Sequence, residues 1–212
     1  MKNKKYHPGY LENIMFFGDF VDISMRLSDL EGLLNETDKY FKNRIKDRKS
    51  ENYLDFREYE IEKFPDIQRI SFLIVLVMLI EIQIKSYCNN LYRFRVSPIK
   101  LNKLRGSIIE QFLVYVEKLA GYDFAFEEGI LDRIREIIEL RNCFVHADGY
   151  LKEFNRREQI KNLSRKVNGI IIANGYVELS SESCLEFIKI VRKFFDIIYN
   201  KALELFPKVD YD

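Results

Sequence analysis

The chain has 212 residues, 34 Lys plus Arg against 33 Asp plus Glu, and a formal net charge of +1. This balance excludes a histone-like basic protein and an acidic tail, so any attraction for nucleic acid must come from local patches. With 47% hydrophobic and 32% charged residues, the composition is that of a globular chain, and its length suits one domain.

Only 9 Gly and 4 Pro are present, which predicts few turns and long helices. Residues 1–9 are expected to form a loose N-terminus, and the first helix to follow Pro8. Residues 35–49 either continue this helix or bend it. Six apolar residues at alternating steps of four and three give the helix one apolar face: Phe16, Phe20, Ile23, Leu27, Leu30 and Leu34.

The second helix is predicted to begin near Pro65 and to run to about Tyr92. It is apolar nearly all round between residues 70 and 84, which is typical of the most central helix of a bundle. Its most apolar run, residues 72–80, is about half of the ~18 residues that span a bilayer. We therefore expect a buried helix, no membrane association and a cytoplasmic location, where the three cysteines would be reduced.

The third helix is predicted over residues 101–120, before Gly121. The fourth is predicted to start after Gly129 and to end at Asp148-Gly149. A β-hairpin is predicted where residues 170–172 and 176–179 flank Asn174-Gly175, a dipeptide typical of a type I′ turn.

A final helix is predicted from Ser183, which would form a capping box with Glu186. The predicted fold class is all-α: an up-and-down helical bundle of four to five main helices, with a small β-hairpin insertion near residues 169–180. We expect one domain over residues 1–212, in which residues 150–182 hold a basic segment and the hairpin. The apolar face of the last helix consists of Cys184, Phe187, Val191, Phe194, Ile198, Ala202 and Leu205.

The segment 140–149, Leu-Arg-Asn-Cys-Phe-Val-His-Ala-Asp-Gly, is the best candidate for chemistry. The phosphate-binding loops, the nucleophile elbow and the zinc-binding H-E-x-x-H motif do not occur in the sequence. Asn142 and His146 are four residues apart and share a helical face. Arg141 and His146 are five apart, about 140° on an ideal helix. These two side chains converge on one substrate only if the helix distorts or if two copies of the chain meet.

Arg141 lies four residues after Ile137, near the apolar stripe of the predicted helix. A guanidinium in that position requires an anion or a partner. An ion pair with Glu81 or Glu139 is the structural alternative. For His146 the alternative is a helix-end histidine bound to a backbone carbonyl or to Asp148.

Arg141-Asn142-x3-His146 resembles the R-x4-6-H motif, in its R-N-x-x-x-H form, of the HEPN (higher eukaryote and prokaryote nucleotide-binding) superfamily. The motif's place at the end of an amphipathic helix, before a basic segment and a last helix, is also similar to that family. The resemblance implies a metal-independent endoribonuclease without a cofactor. The ribose 2′-OH would attack the phosphate and leave a 2′,3′-cyclic phosphate.

In this reading His146 moves protons, since an imidazole can accept or donate one near neutral pH. Arg141 would stabilise the phosphate in the transition state. Asn142 would orient His146 or bind the phosphate, although it could also cap the helix end. Cys143, inside the motif, is expected to be a small packing residue.

The resemblance also implies a homodimer in which two motifs form one composite site, and a role as a toxin or an anti-phage defence effector. A cognate antitoxin or a nucleotidyltransferase would be the partner. Two alternatives stay open. One is a catalytically silent HEPN module that binds nucleotide, RNA or a partner protein. The other is a helical interaction protein whose motif is accidental.

Two basic stretches are candidates for holding RNA. Residues 91–105 carry five positive side chains and no acid, with Tyr92 and Phe94 interleaved. Residues 151–166 carry six positive side chains against two glutamates. Because this second stretch follows the motif directly, Arg156, Arg157 and Lys161 are our candidate RNA contacts. A solvated surface is the alternative for each stretch.

Overall fold

A computed structural model describes the backbone of residues 10–48 and 56–205 and the side chains of residues 14–44 and 63–204. The predicted loose N-terminus, residues 1–9, lies outside this range. The described residues are all-α with one small β-hairpin, which confirms the predicted fold class. The elements are α1 (Tyr10–Arg48), α2 (Phe56–Arg93), α3 (Ile108–Leu113), α4 (Ile130–Ala147), α5 (Arg157–Lys166), β1 (Ile170–Ala173), β2 (Tyr176–Leu179) and α6 (Ser181–Leu205).

The chain divides into two compact units. The first unit comprises Met1–Met25, Leu79–Leu131 and Arg192–Asp212. The second, which we call the motif unit, comprises Arg26–Met78 and Asp132–Val191 and so contains the segment 140–149. One domain over residues 1–212 stays a prediction.

The core of the first unit is aromatic. Tyr87 is buried at its centre and packs against Phe16, with ring centroids 5.1 Å apart, and against Tyr199 at 5.7 Å. Gln83 donates from its amide to the hydroxyl of Tyr199 and to the backbone oxygen of Asp19. This hydrogen bonding satisfies the hydroxyl of Tyr199, whereas the buried hydroxyl of Tyr87 has no hydrogen-bond partner among the described residues.

The predicted third helix is broken, so a single helix over residues 101–120 is wrong. A short 3-10 helix spans Leu101–Lys103, and α3 begins only at Ile108 and continues as a π-helix over Val114–Leu119. Gly106, with φ of +108°, lies between the two segments in a conformation that favours glycine. Ser107 and Glu110 then form a capping box that starts α3.

The second predicted helix begins earlier than expected, because α2 starts at Phe56 and contains Pro65. A proline removes one backbone hydrogen bond and weakens a helix, but it does not always terminate one. The prediction of a helix buried on all sides is also wrong. Within the motif unit, five apolar residues of α2 are 36–56% exposed: Phe64, Ile67, Ile74, Val75 and Met78.

The apolar content of α2 is high enough for a membrane span by length and composition alone. An 18-residue window of residues 63–93 reaches a mean hydropathy of 2.0, and 44% of it is buried inside the protein. This is weak evidence, because the core helix of a soluble protein meets the same criterion.

Other predicted elements are confirmed. The hairpin pairs Ile170 with Leu179, and Asn174 and Gly175 both have positive φ, as a type I′ turn requires. α1 continues to Arg48.

The last helix starts two residues before the predicted Ser183. Its cap is Ser180, whose Oγ accepts from the Ser183 backbone N–H at 3.2 Å, so the predicted box with Glu186 is wrong.

Candidate functional site

The candidate motif lies at the C-terminal end of α4, and the sequence there fixes where the helix stops. The helix is regular through Ala147, after which Asp148 and Gly149 adopt positive φ. The Gly149 N–H donates to the Cys143 carbonyl at 3.2 Å and closes the last turn. A β-carbon at Gly149 would lie 2.9 Å from Phe144 Cε1. The predicted stop at Asp148-Gly149 is confirmed.

The hairpin holds the chain that leaves the motif. The backbone N–H of Leu151 donates to the Gly175 carbonyl at 2.8 Å, and the N–H of Val177 donates to the Gly149 carbonyl at 3.0 Å. The rings of Tyr150 and Tyr176 pack together with centroids 4.7 Å apart. The hairpin, whose role the sequence left open, therefore anchors the end of α4.

His146 lies on the outward face of α4. It is exposed, and no hydrogen bond or ion pair to its imidazole occurs among residues 14–44 and 63–204. The alternative in which a carbonyl or Asp148 binds this histidine is thus not observed in the described residues. The side chain is accessible to a substrate on this face.

Asn142 shares this face of α4 with His146 and with Glu139. The side chain of Asn142 is half-buried and donates from Nδ2 to Glu139 Oε2 at 3.4 Å. It lies well inside the helix, so the alternative of a helix cap is not observed. Residues at i, i+3 and i+7 lie within about 60° of one another on a helix. The structure therefore groups Glu139, Asn142 and His146.

Arg141 lies on a different side of the helix. Its side chain is half-buried, its Nε atom is enclosed, and it interacts with neighbouring groups of the protein. Because α4 is regular here, the 140° that separates residues at i and i+5 is kept. The distortion that would let Arg141 and His146 of one chain converge is absent from the described helix.

Glu139, which the sequence suggested only as an ion-pair partner of Arg141, has a larger part in this site. Its side chain is only 10% exposed, and its carboxylate accepts hydrogen bonds from Arg156 and from Asn142. Arg156, a predicted RNA contact, is thus engaged in an ion pair with a buried partner. The spacing of three residues between Glu139 and Asn142 was a visible signal, whereas nothing in the sequence joined Glu139 to Arg156.

In the basic segment after the motif, α5 spans Arg157–Lys166, a helix that was not predicted from the sequence. Ile160 and Leu163 are fully buried on one side of α5. At its C-terminal end, Lys166 binds the buried carboxylate of Glu136 at 3.0 Å. Arg157 is exposed, and Lys161 forms an exposed ion pair with Glu158 at 2.7 Å.

Cys143 is buried inside the motif, and burial raises the pKa of its thiol to about 11. A thiol in this state is a poor nucleophile and packs as a small apolar group. Among the described residues there is no cluster of three His, Cys, Asp or Glu side chains that could hold a metal ion.

The other basic stretch, residues 91–105, lies in the first unit, and its aromatic residues are engaged within the protein. The ammonium of Lys100 lies over the ring of Tyr92, 5.4 Å from its centroid. The ring of Phe94 packs against Phe16 at 6.0 Å. These contacts leave the stretch with less aromatic surface for stacking bases than its sequence suggested.

The motif unit contains a groove of about 850 Å³. Its lining carries charges of both signs, which weakens any single-sign field within it. Two of its carboxylates also form ion pairs: Asp38 Oδ1 lies 3.7 Å from a guanidinium nitrogen of Arg69, and Glu186 Oε2 lies 3.3 Å from Lys189 Nζ. Its charged lining residues are Lys39, Lys42, Lys166, Lys189, Asp38, Glu182 and Glu186.

The chain was compared with protein-family models, with curated proteins and with solved structures, and none of them matches it. The similarity to HEPN proteins therefore rests on the motif Arg141-Asn142-x3-His146 and on its position at the end of α4.

Proposed function

We propose that this protein is a metal-independent endoribonuclease of the HEPN type. The observation that carries the proposal is the arrangement at the end of α4. His146 is exposed there, Asn142 lies beside it on the same face, and a half-buried Arg141 follows the R-N-x-x-x-H spacing. An imidazole open to solvent, an amide on the same face and a guanidinium on another side of the helix, which a second copy would use, supply the three groups that RNA cleavage through the 2′-OH needs.

In the proposed reaction the 2′-oxygen of a ribose attacks the adjacent phosphorus. A 2′-O–P bond forms as the P–O5′ bond breaks, and the products are a 2′,3′-cyclic phosphate and a 5′-hydroxyl. His146 accepts the proton of the 2′-OH or donates one to the leaving O5′. Arg141 stabilises the extra negative charge of the transition state. Asn142, held by Glu139 through its Nδ2, orients the imidazole or the phosphate.

The proposed active form is a homodimer, because Arg141 and His146 of one chain point to different sides of a regular helix. A second copy brings an Arg141 to the first copy's His146. Within the motif unit, the exposed apolar residues of α2 and Val145, which is 49% exposed on α4, offer surface for that copy to cover. We place the enzyme in the cytoplasm as a toxin or anti-phage effector, with a cognate antitoxin or nucleotidyltransferase as its partner.

The test is cleavage of structured and unstructured RNA in excess EDTA by the wild type, His146→Ala and Arg141→Ala. We expect cleavage by the wild type alone, with cyclic-phosphate ends. His7→Ala is the matched control, because it removes the chain's other histidine, and it should stay active. A folded His146→Ala variant that cleaves as fast as the wild type would refute the role of His146. RNA binding without cleavage would favour the silent module.

A further inference from the structure

The six cations of residues 151–166 do not have equivalent surroundings. Two of them, Arg156 just before α5 and Lys166 at its C-terminal end, bind the carboxylates of Glu139 and Glu136. Both glutamates belong to α4 and are at most 10% exposed. A buried carboxylate without a partner is costly, so these ion pairs fasten α5 to α4. We call Arg156 and Lys166 the clamp residues.

Three other cations lie on the outside of α5. Arg157, Lys161 and Arg165 follow one another at steps of four residues, which places them on one stripe, where Arg157 and Arg165 are exposed and the Lys161 side chain is 40% exposed. The two buried residues, Ile160 and Leu163, lie on the side that packs into the motif unit. We call Arg157, Lys161 and Arg165 the outer stripe.

The outer stripe forms one electrostatic cluster. Lys161 donates a hydrogen bond to Glu158, and the charges of Lys161, Arg157 and Arg165 together hold the pKa of that carboxyl below its usual range. Arg165 also donates to the side chain of Asn162 at 3.1 Å. Three cations therefore share one exposed acid, and the stripe keeps an excess of positive charge.

We propose that α5 is the RNA-binding helix of this protein, in which the outer stripe contacts the phosphate backbone of single-stranded RNA and the clamp residues hold the helix in place. The choice of RNA as the anion rests on the proposed function. Phosphate contacts from Lys and Arg give affinity without sequence preference. The candidate contacts thus change from Arg156, Arg157 and Lys161 to Arg157, Lys161 and Arg165.

Two observations favour RNA over an anionic membrane as the partner. The apolar residues of α5 point into the protein, so its exposed face has no apolar anchor for a bilayer. In the same unit α5 contacts β1, and Tyr176 on the paired strand β2 is 48% exposed, with its ring packed beside that of Tyr150. An exposed aromatic ring is a surface on which a base can stack.

The experiment measures binding of a fluorescein-labelled, unstructured oligoribonucleotide by anisotropy at several NaCl concentrations. All proteins carry His146→Ala so that the probe stays intact. The stripe variant combines Arg157→Gln, Lys161→Gln and Arg165→Gln, and the clamp variants are Arg156→Met and Lys166→Met. Gln keeps a good helix propensity, and the hydrogen bonds of Lys161 and Arg165 are exposed, so the variant should fold.

The stripe variant should bind more weakly. The negative slope of log K against log salt should become shallower by about 2, since each phosphate contact on a single strand contributes about 0.7. The clamp variants should keep the wild-type slope but unfold at a lower temperature. A stripe variant with an unchanged slope, or a parent protein that does not bind the RNA, would overturn the inference. The inference would also be overturned if the parent protein bound vesicles rich in phosphatidylserine more tightly than the RNA and the stripe variant lost that vesicle binding. The assay records binding only, so its result does not depend on catalysis. If the stripe binds RNA but the protein with His146 intact does not cleave RNA, the proposed function is refuted and this inference stands.

Discussion

The ion pair between Arg156 and Glu139 offers a quantitative test of how α5 is held. Arg156→Met removes the cation and keeps the length of the side chain. Glu139, only 10% exposed, is then left with the 3.4 Å hydrogen bond from Asn142. Removing one partner of a fully buried pair costs about 3–5 kcal/mol. Because the Arg156 side chain is 61% exposed, water compensates part of this loss, and we expect about 2 kcal/mol.

For a chain of this size, about 2 kcal/mol corresponds to a fall in Tm of roughly 4–8 °C. Urea unfolding followed by circular dichroism measures the change directly. Lys161→Met is the matched control, since it removes a cation from the same helix whose partner, Glu158, is exposed. Its effect should be much smaller. Adding Glu139→Gln to Arg156→Met should recover part of the lost stability, because no buried charge remains. Equal losses for Arg156→Met and Lys161→Met would refute the reasoning.

Two further predictions concern buried ionisable groups. The pKa of Cys143 is raised to about 11, so at pH 8 about one thiol in 1000 is ionised. Iodoacetamide should therefore label Cys143 only after the protein is unfolded, which mass spectrometry can measure. Fast labelling of the native protein would contradict the burial of Cys143. Burial raises the pKa of Asp19 above its ordinary value of 3.8, so its contribution to stability is present below pH 3.8 and is lost as the pH rises through the raised value. Asp19→Asn should therefore raise the urea midpoint relative to wild type at pH 7, with the difference shrinking toward pH 4; a difference that does not depend on pH would contradict this.

The parts of the fold that local chemistry determines could be predicted from the sequence. Asp148-Gly149 and Asn174-Gly175 are turn signals whose backbone conformation few other residues adopt, and both turns form where expected. The break before α3 had a local signal too, in Ser107 and Glu110 at capping-box spacing. Residues 101–120 also carry apolar side chains at helical spacing, a pattern that predicts one continuous helix.

The parts that depend on tertiary contacts could not be predicted in the same way. α5 has only Ile160 and Leu163 as buried residues, and its stability depends on ion pairs to residues 17 and 30 positions earlier in the chain. The exposed apolar residues of α2 were likewise invisible, because a helix that is apolar all round has the same sequence pattern whether or not its own chain covers it.

For the candidate site, helical spacing alone grouped Asn142 with His146 and separated Arg141 from them, and the regular α4 keeps that geometry. Helical spacing could not reveal that Glu139 forms an ion pair with Arg156. Glu139 and Arg156 are brought together by the turn that follows α4. This turn is held by the hairpin, through backbone hydrogen bonds of Gly149 and Leu151 with Val177 and Gly175.

The central claim is that Arg141 of one copy and His146 of another form one ribonuclease site, and complementation tests it most directly. Arg141→Ala and His146→Ala chains are mixed in equal amounts, unfolded, refolded together and assayed with RNA in EDTA. Half of the dimers then contain one chain of each kind, and one of their two sites is intact. The mixture should therefore regain about a quarter of the wild-type activity, while each variant alone stays inactive. An inactive mixture beside an active wild type would contradict the composite site, and an inactive wild type would contradict the proposed ribonuclease.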